Sequence, residues 1–151
     1  MSETAARIPE DIKNAMRAKD TTALNALRAL KSALTNAAIE KGGLGTELEE
    51  SEVLAVVRKQ LKQRVDSCEQ FENAGRPELA ATEKTEIEIL SRYLPAALTE
   101  EQLTAIIEQA VTETGATGKA DMGKVMKRSQ ELAEGRADGK LLSAAVMKRL
   151  S

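Results

Sequence analysis

The chain has 151 residues, which is enough for one ordinary domain or two small helical units. Its 22 basic and 24 acidic residues leave a net charge of -2, which argues against a protein that coats nucleic acid through bulk charge. We therefore expect no DNA binding, and any contact with RNA must be local. The single cysteine favours a reducing cytoplasm. Because the sequence has no long apolar stretch, we expect that the protein is neither secreted nor inserted in a membrane.

The first two predicted helices span approximately residues 4–19 and 22–40, and Pro9 lies near the start of the first. In the first helix, Ile12, Ala15 and Met16 form a narrow apolar stripe, and Gly42 and Gly43 end the second. The glycine-rich segment at 42–45 lacks the spacing and the Lys-Ser/Thr pair of a phosphate-binding loop, so we interpret it as a helix terminator. The inward side of the second helix is predicted to carry Leu24, Leu27, Leu30, Leu34 and Ala38.

The next two predicted helices cover residues of about 51–74 and 77–94. Gly75 ends the longer one, Pro77 suits the first turn of its successor, and Pro95 disfavours further helix. Because of this break we place one unit at 1–95 and a second at 96–151. The predicted inward residues are Leu54, Val57, Leu61, Val65, Cys68 and Phe71 on the longer helix, and Leu79, Ile87, Leu90 and Leu94 on the shorter.

The remaining residues predict a three-helix tail. Thr99 and Gln102 have the spacing of a capping box, Gly115 closes that helix, and Asp121 and Asp138 are suitable caps for two more. Their predicted inward residues are Leu103, Ile106, Ile107, Ala110, Val111, Met122, Val125, Met126, Leu132, Ala133, Leu141, Leu142, Ala145, Val146 and Leu150. Apolar residues thus recur at steps of three and four in every segment, which predicts an all-α fold: a bundle of about four helices followed by the tail.

Residues suited to catalysis are scarce. The chain has no histidine, which removes the commonest general base and the commonest transition-metal ligand. Its serines are isolated, and Cys68 falls on an apolar face with no base beside it. We interpret the acidic residues as solvated charge and not as ligands of a hard cation. Those residues are Glu49, Glu50, Glu52, Glu83, Glu86 and Glu88. The sequence predicts no catalytic residue, metal or cofactor.

Two basic clusters stand out against the acidic total. On the third helix Arg58, Lys59 and Lys62 share one flank of the apolar stripe, and Arg64 lies on the other side. Residues 115–151 carry a net charge of +4, and their candidate RNA contacts are Lys124, Lys127, Arg128, Arg136 and Lys140. Such surfaces could grip a phosphate backbone, and an ordinary solvated face is the alternative.

Several stretches together resemble the stand-alone, bacterial-type proteins of the GatB/YqeY family. They are the runs at 27–34, 53–64, 69–80 and 83–95, with Gly115-Ala116, 121–126 and 135–140 in the tail. The resemblance covers nearly the whole chain, with Phe71 where the family often has tyrosine and Glu49 in place of a Ser, Thr or Asp cap. It implies a four-helix bundle followed by a three-helix unit.

The resemblance also implies kinship with the helical tail of the B subunit of the glutamine-dependent amidotransferase that acts on misacylated Glu-tRNA and Asp-tRNA. That tail helps to hold tRNA, whereas the catalytic cores are separate. Our leading hypothesis is a non-catalytic module that binds tRNA or aminoacyl-tRNA. Two alternatives are a component of a carbon-nitrogen ligase with glutamine as amido-N-donor, and a protein-protein adaptor without an RNA role. A shared fold alone does not transfer the chemistry.

Overall fold

The computed structural model describes residues 2–151, and these residues form helices and connecting segments with no strand. The all-α prediction is confirmed. The helices are α1 (Glu3–Arg17), α2 (Thr21–Gly42), α3 (Glu50–Asn73), α4 (Pro77–Ser91), α5 (Glu100–Thr114), α6 (Met122–Ala133) and α7 (Gly139–Leu150), and a short 3₁₀ turn at Lys119–Asp121 precedes α6.

The chain divides into two compact units, Met1–Leu94 and Pro95–Ser151. In the first unit α3 packs along α4, and α2 contacts α1, α3 and α4. Its core is aliphatic apart from Tyr93. The buried residues of this core are Ile8, Ala15, Ala26, Leu27, Leu30, Leu34, Val53, Val57, Leu90 and Tyr93.

Hydroxyl side chains join the beginnings of two helices in the first unit. Ser2 caps α1, because its Oγ accepts a hydrogen bond from the backbone N–H of Ala5 at 3.1 Å. The hydroxyls of Ser2 and Thr4, both buried, donate to the carboxylate of Glu50 in the first turn of α3. One carboxylate therefore ties the start of α1 to the start of α3.

Four apolar residues that the sequence predicted to face inward are exposed instead. Met16, Val65, Leu79 and Leu141 all retain more than a third of their accessible surface. A stripe at three- and four-residue spacing covers a wide arc of a helix, and a neighbouring helix covers only part of that arc. The prediction is wrong for these four residues because the position of the neighbour, and not the periodicity, decides which edge of the stripe is buried.

The second unit is a three-helix arrangement in which α5, α6 and α7 contact one another. The capping box is confirmed: Thr99 Oγ1 accepts from the N–H of Gln102 at 3.1 Å, and Gln102 Oε1 accepts from the N–H of Thr99 at 3.0 Å. Gly115 ends α5 with a φ of 67°, the left-handed geometry that glycine adopts without strain. The buried core consists of Ile107, Ala110, Val125, Leu142, Val146 and Leu150.

The two aspartates predicted as caps in the tail behave differently. Asp138 caps α7, since its Oδ1 accepts from the N–H of Lys140 at 3.3 Å. The carboxylate of Asp121 instead turns back and accepts from the N–H of Thr117 at 3.0 Å. The prediction of a side-chain cap by Asp121 is wrong because the intervening 3₁₀ turn redirects its carboxylate.

None of the described helices is both long enough and apolar enough to cross a membrane.

Candidate nucleic-acid interface

The first basic cluster lies on α3. Lys59 and Lys62 are exposed and one turn apart, and Arg58 beside them is half-buried. These three residues occupy the flank that the sequence predicted. Two mobile ammonium groups on one side of a helix offer point charges to an anionic ligand.

Arg64 does not join this cluster. Its Nη1 lies 2.7 Å from Glu86 Oε2 and 3.8 Å from Glu83 Oε2, and its side chain is only 15% exposed. Glu86 is itself buried, so the expectation that it is solvated is wrong. Burial raises the pKa of Glu86, the Arg64 charge opposes that rise, and Glu83 adds to it. Arg64 therefore joins α3 to α4 through this ion pair, and its charge is not presented to solvent beside Lys59 and Lys62.

The arginines of the second unit are likewise engaged within the protein. The guanidinium of Arg128 binds the carboxylates of Glu113 and Glu131, the latter at 2.9 Å. Arg149 binds Glu108, and Nε of Arg136 donates to the carbonyl of Ala96 at 2.9 Å. The hydrogen bonds from Arg128 and Arg149 lower the pKa of Glu113 and of Glu108 respectively.

The lysines of the second unit, in contrast, face solvent. Lys124 and Lys127 lie one turn apart on α6, and Lys140 stands in the first turn of α7. Their ammonium groups make no hydrogen bond or ion pair with any residue from 2 to 151. Lys119 and Lys148 share this condition. We refer to Lys124, Lys127 and Lys140 as the tail lysines.

This division between arginine and lysine does not follow from the charge pattern of residues 115–151 alone. The signal for it was present in part. Glu108 and Glu113 both lie on α5, which carries four acidic residues and no basic one between Glu100 and Thr114. Cations on neighbouring helices are attracted to such a helix, and Arg128 and Arg149 bind two of its carboxylates.

A polar cluster in the first unit was also missed. The hydroxyl of the buried Tyr93 donates to the carboxylate of Asp11, and the guanidinium of Arg7 lies 5.0 Å from the centre of the tyrosine ring. Burial and the bond to Asp11 raise the pKa of Tyr93. A cleft of about 560 Å³ opens beside this cluster, between α1, α2 and α4.

Cys68 lies among buried groups, with its Sγ 3.6 Å from the carbonyl oxygen of Ala80. Burial raises the pKa of the thiol, and the nearby carboxylate of Glu72 raises it further. A raised pKa reduces the thiolate fraction, which is the opposite of what a nucleophilic cysteine requires. This environment agrees with the interpretation of Cys68 as a small apolar residue.

Comparison with known proteins defines the family. The model of the YqeY-like proteins matches residues 5–150, which is nearly the entire chain. The chain belongs to the YqeY-like family. This membership agrees with the resemblance found in the sequence.

The curated relatives are fungal. The chain is 32% identical over 133 residues to "Altered inheritance of mitochondria protein 41, mitochondrial" of Pyrenophora tritici-repentis, a match that covers 87% of this chain and 71% of the relative. Proteins of the same name match from Clavispora lusitaniae, with 42% identity over 60% of this chain and 53% of the relative, and from Lachancea thermotolerans, with 33% identity over 74% and 59%. The chain thus spans between about half and seven tenths of the length of these relatives.

Proposed function

We propose that this YqeY-like protein is a non-catalytic RNA-binding module of the cytoplasm, and that its partner is a tRNA or an aminoacyl-tRNA. One observation carries the proposal: in the second unit the arginines are bound within the protein, and the tail lysines remain exposed on α6 and α7. The kinship with a tRNA-holding tail, implied by the sequence resemblance, supports the choice of RNA.

The chemistry of the two residue types supports contact with a phosphate backbone. Arg128 and Arg149 already have carboxylate partners at the surface, so an RNA phosphate would have to compete with those partners for the guanidinium groups. An exposed lysine keeps its hydrated charge and can release the counterions that surround RNA when it approaches a phosphate. Contacts of this kind set position and affinity but carry no base sequence information.

The first test is tRNA binding by the full chain at several salt concentrations. Replacing the tail lysines together (Lys124→Gln, Lys127→Gln and Lys140→Gln) should weaken binding and reduce the slope of log affinity against log salt by about 0.7 to 0.9 for each lost contact. A second variant, Lys59→Gln with Lys62→Gln, tests the α3 cluster in the same way. Circular dichroism should show that both variants stay folded, since these side chains are exposed.

The matched control removes the same charge elsewhere. Lys13, Lys19 and Lys31 are exposed lysines of the first unit outside both clusters, and their replacement by glutamine should change the slope much less. If the control and the tail variant have equal slopes of log affinity against log salt, the tail lysines are ordinary surface charges and do not form an RNA site. If even the parent chain fails to bind tRNA near 100 mM salt, an adaptor role without RNA becomes the better account.

A further inference from the structure

A groove of about 660 Å³ runs between α5 and α7 in the second unit. The connections on either side of α6 are short, so α5 and α7 both run antiparallel to α6 and are parallel to each other. The bond between Glu108 and Arg149 shows their register, since both residues line the groove. Both helices line its middle with apolar side chains: Leu103 and Ile107 from α5, and Leu141, Ala144 and Ala145 from α7.

The middle of this groove is apolar and has room. Ile107 is buried at its base, Leu103 and Ala145 are partly covered, and Ala144 is exposed. Leu141, which the sequence predicted to face inward, is 55% exposed. Small alanines beside an open leucine leave space for large side chains from another helix, which would bury Leu141 at the same time.

The two ends of the groove carry opposite charges. Glu100 stands at the end where α5 and α7 begin, and Lys148 stands near the end where α7 finishes. Neither side chain makes an ion pair or hydrogen bond with the described residues, whereas Glu108 and Arg149 neutralise each other. Outside the lining, the exposed charges at the starts of α5 and α7 are the acidic Glu101 and Asp138 and the basic Lys140, so this end is acidic in sum.

We propose that this groove binds an amphipathic helix of a partner protein, running antiparallel to α5 and α7. In that direction the first turn of the incoming helix lies beside Lys148 and its last turn beside Glu100. Stable helices favour acidic residues in the first turn and basic residues in the last, so their usual charge pattern matches both ends. An antiparallel fourth helix also completes the four-helix arrangement that α5, α6 and α7 leave open.

The experiment selects binders to the full chain from a displayed library of amphipathic peptides of 15 residues, the length of α5. The library varies the charges of the first and last turns freely. Selected peptides should carry Asp or Glu first and Lys or Arg last, and should perturb the amide resonances of α5 and α7. Leu141→Glu should weaken the best binder by about tenfold or more, because a charge then replaces a leucine that binding buries.

Two variants make the result specific. Met147→Glu is the matched control, since Met147 is 50% exposed on the same helix but does not line the groove. It should leave the affinity unchanged. The double variant Glu100→Lys with Lys148→Glu should reverse the preferred charge order of the peptides, which a purely apolar contact would not do.

Other results would overturn the proposal. They are a selection that yields no binders, binders without a charge order, and binders that Leu141→Glu leaves unaffected. Sedimentation showing a dimer that Leu141→Glu dissociates would assign the groove to a second copy of this chain. The outcome is separate from the RNA test, because the tail lysines do not line the groove.

Discussion

The two units differ in the polar side chains that they bury, although both carry ion pairs at the surface. The first unit buries Ser2, Thr4 and Glu86 and joins them to partners on other helices. In the second unit, all of which the structure describes, Ser129 is the one buried polar residue, and the ion pairs lie at the surface. Polar contacts at buried residues therefore join α1 to α3 and α3 to α4, whereas the interior of the second unit is almost entirely aliphatic.

This difference follows from the size of the cores. A larger core can hold a desolvated ion pair because its apolar contacts offset the cost of burying charge. A unit of fewer than 60 residues has little apolar surface to spare, so it keeps its charges in water. We therefore expect the loss of a single polar partner to destabilise the first unit more than the second, in which changes in apolar packing should have the larger effect.

Separating the units at Pro95 should produce the largest effect. We expect the fragment 95–151 to keep helical structure but to unfold at much lower urea concentration than the intact chain, because only seven of its apolar residues are buried. The fragment 1–94 should unfold cooperatively. Circular dichroism against urea checks both. A random-coil spectrum for 95–151 would show that its helices form only in the intact chain. That result would contradict the view that the two units fold independently.

The next largest effect should come from the buried ion pair of the first unit. Replacing Arg64 by methionine leaves Glu86 and Glu83 without their cation and should cost about 3 kcal/mol of unfolding free energy. Lys59→Met on the exposed side of α3 is the control and should change stability by less than about 0.5 kcal/mol. Similar losses in both variants would mean that the buried position of Arg64 has no special role.

Glu50→Gln should have a smaller effect that depends on pH. The variant weakens the acceptor of two buried hydroxyls and should cost about 1 to 2 kcal/mol near neutral pH. Burial disfavours the charge of Glu50, but the hydrogen bonds from Ser2 and Thr4 outweigh it and lower the pKa below its ordinary value of 4.5. The stabilisation is therefore present above 4.5 and disappears as the pH falls through the lowered value.

The measurement is the difference in unfolding free energy between parent and variant across the acidic range. This difference should shrink as the pH falls, whereas Glu101→Gln, at an exposed position of α5, should show little difference at any pH. Parent and variant must be compared at each pH because Glu86, which both contain, changes the unfolding free energy in the opposite direction as the pH falls. Its raised pKa makes stability fall as the pH rises from 4.5 to the raised value. If the difference in unfolding free energy does not depend on pH, the ionised form of Glu50 is not what stabilises the fold.

The smallest effect should come from Ser129, the buried polar residue of the second unit. Ser129 is fully buried on α6 and its Oγ has no hydrogen-bond partner among the described residues. Ser129→Ala should therefore raise the unfolding free energy by about 1 kcal/mol, through removal of an unsatisfied hydroxyl. Ser32→Ala on the exposed face of α2 controls for the helix propensity of alanine, and thermal unfolding compares the two. A larger gain from Ser32→Ala would indicate that the Ser129 hydroxyl is satisfied.

Much of the fold was predictable from the sequence because the relevant forces act over a few residues. Thr99 and Gln102 form their capping box within one turn, and Gly115 ends α5 through its own backbone freedom. Periodicity likewise located the helices, although it could not tell the middle of an apolar stripe from its edge. Asp121 shows the limit of local rules, since a 3₁₀ turn changed the direction of its carboxylate.

The candidate site was predictable only as a set of charges. The sequence by itself determined the helical segments, the scarcity of catalytic side chains and the positions of the basic residues. Only the tertiary structure decided that Arg64 binds Glu86, that Arg128 and Arg149 bind α5, and that the tail lysines and Leu141 stay exposed. The physical reason is distance along the chain: Arg64 and Glu86 are 22 residues apart and Arg149 and Glu108 are 41 apart, so packing between helices alone selects these partners.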